Sequence, residues 1–412
     1  MEFAYRFRLN PTPAQRDRLA WTLDTCRQVY NHFLHRMNRN DDISSSFSEQ
    51  NRLPDLKQWW TDLQQVNSKV LQKVVDRLYT ARSNLKKKKD KGHDVGKLKW
   101  KGNGYYHSFE YNQSGFELKK TSGRDRLYLN KIGNVPVVAH RELPDDATMK
   151  GVVVKRETTG RWYASLQLET NESAPPKPDE PENVVGIDVG ILKYAHDTDG
   201  HAVGSVDLSA EEERLEHEQR VLSRKEHGSN NHREQQQKVA RRYADIKRKR
   251  RDFLHKLSTW YAKTYDLVAV EKLDAKGLLE LPSNSHNRAS AAWATFRKLL
   301  KWKCEREGTH FVAVEPAGTT KECARCGVST DKPLWVREHS CPACGFEADR
   351  DENAAWNVLQ RGLDKLNIGT GSAESTPAET VVPTATAFQL VAANHVAETG
   401  SPTLKREPSG ER

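Results

Sequence analysis

Long apolar runs are missing from this 412-residue sequence: nowhere do 18 apolar residues stand together, which excludes a helix that spans a bilayer. Cysteine is scarce, six in all, too few for a disulfide scaffold, and methionine occurs three times. The opening residues Met1-Glu2-Phe3-Ala4-Tyr5-Arg6 lack the apolar core of a secretory signal, so the expected compartment is the cytoplasm, with no membrane partner. Acids are outnumbered, 56 Asp and Glu against 66 Lys and Arg, and the net charge of +10 points to a polyanionic partner. Aromatics are not lacking: 10 Trp, 12 Tyr and 11 Phe exclude wholesale disorder. At about 100–200 residues per domain the length implies two to four domains.

The pattern changes character along the chain. Over residues 10–91, Pro11-Thr12-Pro13 opens a run in which Leu19, Leu23, Cys26, Val29, Tyr30 and Phe33 recur at helical intervals. A second helical run, Val66, Val70, Val74, Leu78, Ala81 and Leu85, leads into Lys86–Lys89, and the segment from Asn38 to Asn51 between them reads as a polar loop. Residues 93–170 read as antiparallel β, with a hairpin pairing Val152–Lys155 and Trp162–Leu168 across Thr159-Gly160. Pro175-Pro176-Lys177-Pro178 makes a stiff linker. An α/β pattern follows: buried-strand signals at Val184–Asp188, Leu267–Glu271 and Phe311–Glu315, a long charged helix with Val239, Tyr243, Ile246, Phe253, Leu257 and Trp260 on one face, and a helix over Ala291–Trp302. Residues 367–412, rich in Thr, Ser, Ala, Pro and Gly, read as a disordered tail.

Four cysteines carry a metal signature. Cys323-Ala324-Arg325-Cys326 and Cys341-Pro342-Ala343-Cys344 are two C-x2-C knuckles separated by 14 residues, each followed by a glycine, Gly327 and Gly345. Four thiolates so arranged supply a tetrahedral shell for one Zn²⁺, structural because a closed shell leaves no open position for substrate. Two disulfides are the competing reading, disfavoured in a reducing compartment. His339 is a spare ligand, and Cys26 and Cys304 read as small buried residues on helix faces.

Acids stand at the ends of buried strands. Asp188, bracketed by Gly186 and Gly190, closes one apolar strand, and Glu271 another. Functional groups gather at strand carboxyl ends in open α/β sheets. A third acid lies in Asp349-Arg350-Asp351-Glu352-Asn353-Ala354-Ala355, at a helix start whose dipole favours negative charge. Three acids drawn from distant segments repel unless cations sit among them, which is the chemistry of two-metal phosphodiester cleavage, with magnesium the favoured ion. Each acid also has an ordinary reading as a turn or cap residue. Spacing does not choose between Glu271 and Glu315, which end the same Val-Ala-Val-Glu run, or between Asp349 and Asp351.

These motifs, with Leu9-Asn10-Pro11-Thr12-Pro13-Ala14-Gln15, Cys26-Arg27-Gln28-Val29-Tyr30-Asn31, Gly186-Ile187-Asp188-Val189-Gly190, the segment Arg250–Ser258 and Val270-Glu271-Lys272-Leu273, resemble in their order the TnpB (OrfB) family of insertion-sequence proteins, relatives of type V CRISPR effectors, over residues 1–362. The resemblance implies a multidomain α+β protein: a RuvC-type (RNase H-like) α/β nuclease core with an inserted zinc ribbon, plus an N-terminal β-barrel, the wedge, with a helical recognition insert. The implied boundaries are 1–10 and 93–178 for the wedge, 11–92 for the insert, 183–318 and 347–366 for the nuclease, and 319–346 for the ribbon. It selects Asp188, Glu271 and Asp351 as the catalytic acids holding a pair of Mg²⁺ ions, and leaves Asp349 as a turn or supporting acid and Glu315 as a strand-end acid outside the metal site.

The implied activity is RNA-guided cleavage of double-stranded DNA beside a short adjacent motif, with a guide RNA from the transposon end, in a nucleoid-associated setting of a prokaryotic host. Two alternatives are a nuclease-inactive RNA-guided repressor, expected to have lost one acid, and a transposase acting directly in strand transfer. Candidate nucleic-acid contacts are Lys97, Lys99, Trp100, Lys101, Tyr105 and Tyr106, a mixture of cations and aromatics suited to phosphate and base. Lys247, Arg248, Arg250 and Arg251, which with Lys249 wrap a helix turn, are further candidates. Five cations in succession exceed what one solvated face needs, so some must face inward or meet nucleic acid.

Overall fold

The computed structural model describes residues 1–39, 45–121, 123–191, 193–273, 292–333 and 335–367. The expected tail therefore lies, apart from Asn367, outside the described residues, as does Ala291. The chain divides into two compact units: Met1–Ser173 with Glu216–Ala244, and Ala174–Leu215 with the described residues from Asp245 onward.

In the first unit, strand β1 (Glu2–Leu9) is followed by four helices, α1 (Pro13–Arg39), α2 (Ser46–Gln50), α3 (Leu53–Trp59) and α4 (Ser68–Asp90). Six strands follow: β2 (Ser108–Asn112), β3 (Phe116–Lys119), β4 (Arg126–Leu129), β5 (Gly133–Val138), β6 (Thr148–Arg156) and β7 (Trp162–Glu169). The six apolar residues that mark the first helical period are all buried in α1. In α4, Val70, Val74 and Leu78 are buried while Lys86–Lys89 stand in solvent at the C-terminal end, where cations complement the helix dipole. The strands form one antiparallel sheet in the order β2-β6-β7-β1-β5-β4-β3. The expected hairpin is present as β6–β7, and β1 pairs with β7 from Glu2↔Glu169 to Leu9↔Trp162. Trp162, Ala164, Leu166 and Leu168 alternate into the core, as a strand with one buried face requires. Among the described residues no strand ladder pairs the edge strands β2 and β3, which the short turn between Asn112 and Phe116 joins.

The second unit is built on β8 (Val184–Val189), β9 (Lys193–Asp197), β10 (Ala202–Gly204), β11 (Leu267–Glu271) and β12 (His310–Val314), ordered β10-β9-β8-β11-β12. The first three are antiparallel and the last two run parallel to β8. Helices α5 (Ser209–Ser223), α6 (Asn230–Thr264), α7 (Trp293–Glu307) and α8 (Arg350–Lys365) complete it, with a short hairpin of β13 (Glu338–Ser340) and β14 (Glu347–Asp349) ahead of α8; α5 and α6 each extend across the division between units. β8 and β11 read as unbroken apolar runs because both faces of the sheet are covered. Val185, Ile187, Val268 and Val270 pack with Leu254, Leu257 and Tyr261 of α6 and Phe296 and Leu300 of α7. Leu267 and Ala269 pack with Val358, Leu359 and Leu363 of α8.

Two glycines let α8 lie directly on the strands. A Cβ on Gly186 would stand 2.2 Å from the Ala355 carbonyl oxygen, and one on Gly362 would stand 2.7 Å from the Ala269 Cβ. Overpacking of this kind costs about 1–3 kcal/mol. Gly186→Ala is therefore expected to lower the urea midpoint of the unit; an unchanged midpoint would mean that α8 shifts at no cost.

Candidate active site

Strand periodicity decides which acids share a face. With Val185 and Ile187 packed toward α6 and α7, Asp188 points to the α8 side, and on β11 Glu271 joins Leu267 and Ala269 there. β8 and β11 are paired in parallel register through Val270↔Ile187, so one further step brings Glu271 beside Asp188. Asp351 sits in the first turn of α8, on that same face.

The electrostatics follow from burial. Asp188 and Glu271 are 9% and 6% exposed. Burial, then the charges of Glu271 and Asp351, hold the Asp188 carboxyl well above its ordinary range, with Arg350 and the Val189 amide opposing. Burial also raises Glu271, against a hydrogen bond from Thr319 and the charge of Arg361. Thr319 Oγ1 donates to Glu271 Oε1 at 2.6 Å. Asp351 lies 3.5 Å from the guanidinium of Arg337. Asp349 plays a different part, because its carboxylate caps α8 by accepting from the Asp351 amide at 2.8 Å and pairs with Lys193 at 3.0 Å. Glu315 is exposed and pairs with Lys272 at 2.7 Å. Carboxylate oxygens are the donor type that hard divalent cations take, and the oxygens of Asp188, Glu271 and Asp351 do not gather within 4.8 Å of one another.

The four cysteine sulfurs lie within 4.8 Å of one another, the only ligand group that close among the described residues. Cys323 and Cys344 are 3.7 Å apart and Cys326 and Cys341 3.5 Å. Zn–S bonds of about 2.3 Å in a tetrahedron imply S···S separations of about 3.8 Å, so the thiols fit one zinc. Gly327 and Gly345 take φ of 75° and 69°, the left-handed conformation that lets their amides return to the carbonyls of Cys323 and Cys341. His339 is buried within reach of Lys332 and outside the sulfur group.

Three features escaped sequence reasoning. His196 stands opposite Asp188 in the β8–β9 register, buried, with Nδ1 4.0 Å from Asp349; only the hairpin register brings it there. Thr319 reaches Glu271 from a loop with no strand or helix period to mark it. Asn353, Asn357 and Arg361, four residues apart on one face of α8, grip that loop. Asn353 binds the Ala324 amide and the Glu322 carbonyl, Asn357 the Thr319 and Glu322 carbonyls, and Arg361 the Glu315 and Ala317 carbonyls. The spacing was visible in the sequence, but not its partner.

The basic candidates divide. Lys97, Lys99, Trp100 and Tyr105 are exposed in the first unit. Lys101 is half-buried, and Tyr106 turns its ring inward against Tyr30, 6.1 Å between centroids. In the second unit, Lys247 is exposed, Arg248 pairs with Asp245 at 2.9 Å, Lys249 with Glu211, and Arg251 donates to His255 at 3.2 Å. Arg250 is the cation that faces inward, where burial lowers its pKa against the charge of Glu212.

Residues 293–358 match the family described as "Cas12f1-like, TNB domain", residues 165–281 "Probable transposase" and residues 1–40 "Helix-turn-helix domain". A Streptomyces pristinaespiralis protein is 33% identical over 383 residues, 89% of this chain and 91% of that protein, and InsQ of Escherichia coli (strain K12) is 28% identical over 389 residues, 89% and 94%. Both carry the description "Putative RNA-guided DNA endonuclease". A TnpB-like protein of Acanthamoeba polyphaga mimivirus, L79, is 32% identical over 124 residues, 29% of this chain and 24% of that protein. In fold, the chain is similar to a Cas12f1 complex with sgRNA and target DNA (TM-score 0.53, 16% identity, 83% and 82% covered). It is also similar to the mini-RNA-guided endonuclease CRISPR-Cas_phi3 (TM-score 0.52, 8% identity, 88% and 92% covered).

Proposed function

We propose that this chain, which belongs to the TnpB family of insertion-sequence proteins, is an RNA-guided DNA endonuclease that cuts target DNA with a RuvC-type centre of Asp188, Glu271 and Asp351. The observation that carries the reading is the position of these acids on the one sheet face that α8 covers. A sheet with three antiparallel strands followed by two parallel ones, in the order 3-2-1-4-5, supports an RNase H-like core. All three acids are retained, which disfavours an inactive repressor. Its relatives' description as endonucleases disfavours direct strand transfer.

Divalent magnesium, when bound, supplies an activated water and neutralises charge on the leaving oxygen. The chain does the rest. Asp188, Glu271 and Asp351 hold the ions, and Thr319 fixes the direction of the Glu271 carboxylate. Arg350 limits the net charge at Asp188, and Asp349 caps the helix that presents Asp351. Cys323, Cys326, Cys341 and Cys344 hold structural zinc in a ribbon at 319–346 that belongs to target binding. The wedge at 1–10 and 93–178 with the helical insert at 11–92 belongs to guide and adjacent-motif recognition, and the nuclease comprises 183–318 and 347–366. The partners are a guide RNA from the transposon end and double-stranded DNA.

Sequencing the RNA that co-purifies with the full chain tests this reading. A discrete transcript from the flanking element end, together with cation-dependent cutting of matching DNA, is expected. Random RNA would overturn it.

A further inference from the structure

Within the segments assigned to guide and adjacent-motif recognition, the first unit contains a cleft. It has a volume of 570 Å³ and is lined by Arg27, His32 and His35 of α1, Trp59 and Trp60 at the end of α3, and Trp100. Its walls are flat rings. Trp59 and Trp60 stack at 6.0 Å, His32 lies 6.3 Å from Trp60, and His35 lies 6.0 Å from Trp100. Yet Trp59 is 67% exposed and Trp100 57%. Indoles that served only packing would be covered, since each hides a large apolar area.

The cleft is also held in shape. Asn31 clamps the backbone of Lys101 in both directions, accepting from its amide and donating to its carbonyl, each at 2.9 Å. Arg27, itself fixed by Asp24 at 2.7 Å, donates to the same carbonyl at 3.2 Å. The indole of Trp100 is thereby anchored next to α1. Burial, then the charges of Arg36 and His35, pull His32 below its ordinary value against the charge of Glu49, which favours the uncharged ring. Lys97 and Lys99, exposed and just ahead of Trp100 in the chain, add positive charge to the segment that carries it.

We propose that this cleft captures an unpaired base of the guide RNA, stacking it on Trp59 and Trp100 while Lys97 and Lys99 meet the adjoining phosphates. This rests on the RNA-guided reading above and goes beyond it by naming where the RNA is gripped and by which chemistry. Aromatic platforms with flanking cations bind single-stranded nucleic acid by stacking plus charge. Duplex DNA keeps its bases inside the stack, whereas RNA loops and ends splay theirs outward, and these are what aromatic side chains recognise.

The test uses the full chain and the co-purified transcript, resynthesised with 4-thiouridine. Irradiation is expected to cross-link that RNA to peptides carrying Trp59–Trp60 or Trp100. The double variant Trp59→Ala with Trp100→Ala should lose those cross-links and bind the transcript about tenfold more weakly, with an unchanged salt slope. Trp59→Phe with Trp100→Phe, which keeps the rings, should restore binding. Cross-links at these peptides from target DNA alone, from neither nucleic acid, or an alanine variant of unchanged affinity would each overturn the cleft assignment. Absence of any discrete transcript would instead overturn the function on which it rests.

Discussion

Asp188→Ala is expected to abolish divalent-cation-dependent DNA cleavage, by about a thousandfold or more, while guide-RNA binding survives. The size follows from metal-ion catalysis: stabilisation worth several kcal/mol is lost with the ligand, and each 1.4 kcal/mol is about a factor of ten in rate. The same residue makes an opposite prediction for stability. Burial and two neighbouring acids raise the Asp188 carboxyl above its ordinary value, so the fold penalises the ionised form. A raised carboxyl subtracts stability at any pH above its unfolded value. Asp188→Asn, which cannot ionise, is therefore expected to raise the melting temperature at pH 8 without added magnesium, although it too is inactive. Cleavage assays, RNA filter binding and thermal melting together separate the roles. Loss of RNA binding and a lower melting point in both variants would make Asp188 a structural residue.

Cys323→Ser carries the second large effect. Structural zinc in small domains contributes apparent folding energies of about 10–16 kcal/mol in isolated zinc-finger peptides, so a three-cysteine remnant is expected to release the ion. The consequence extends to the acids. Cys323 adjoins Glu322 and Ala324, whose carbonyl and amide are held by Asn353 two residues after Asp351. The second knuckle is the tip of the β13–β14 hairpin that runs straight into α8. Without zinc, the start of α8 loses its support. Cleavage is then expected to fall even though Asp188, Glu271 and Asp351 are intact. Elemental analysis checks the first step and cleavage the second. Unchanged zinc content would defeat the four-thiolate assignment, and full activity without zinc would uncouple the ribbon from the acids.

Much of this molecule was legible because its signals are local. The period of Leu19, Leu23, Cys26, Val29, Tyr30 and Phe33 needs only a helix to be read, and all six are buried in α1. The β6–β7 hairpin and the apolar strands β8, β11 and β12 were readable for the same reason, as was the C-x2-C spacing, whose thiols gather in one place. The order in which the seven strands pair was not readable, because it depends on the register between β-segments distant in the chain. Nor was the inward turn of Tyr106, whose neighbour Tyr105 differs from it in sequence only by one position.

The sequence alone determined the residue types on which the proposed chemistry rests: the two thiol knuckles, the acids at the ends of Val-Ala-Val-Glu and Gly-Ile-Asp, and the cations and aromatics near residue 100. Tertiary structure decided what stands next to each of them. The parallel register of β8 and β11 sets Asp188 beside Glu271, two glycines admit α8 against the sheet, and the cap at Asp349 begins the helix whose first turn carries Asp351. His196, Thr319 and the cleft of His32, Trp59 and Trp100 exist only once distant segments pack, since proximity across a fold is fixed by register and close contact, which no local pattern encodes.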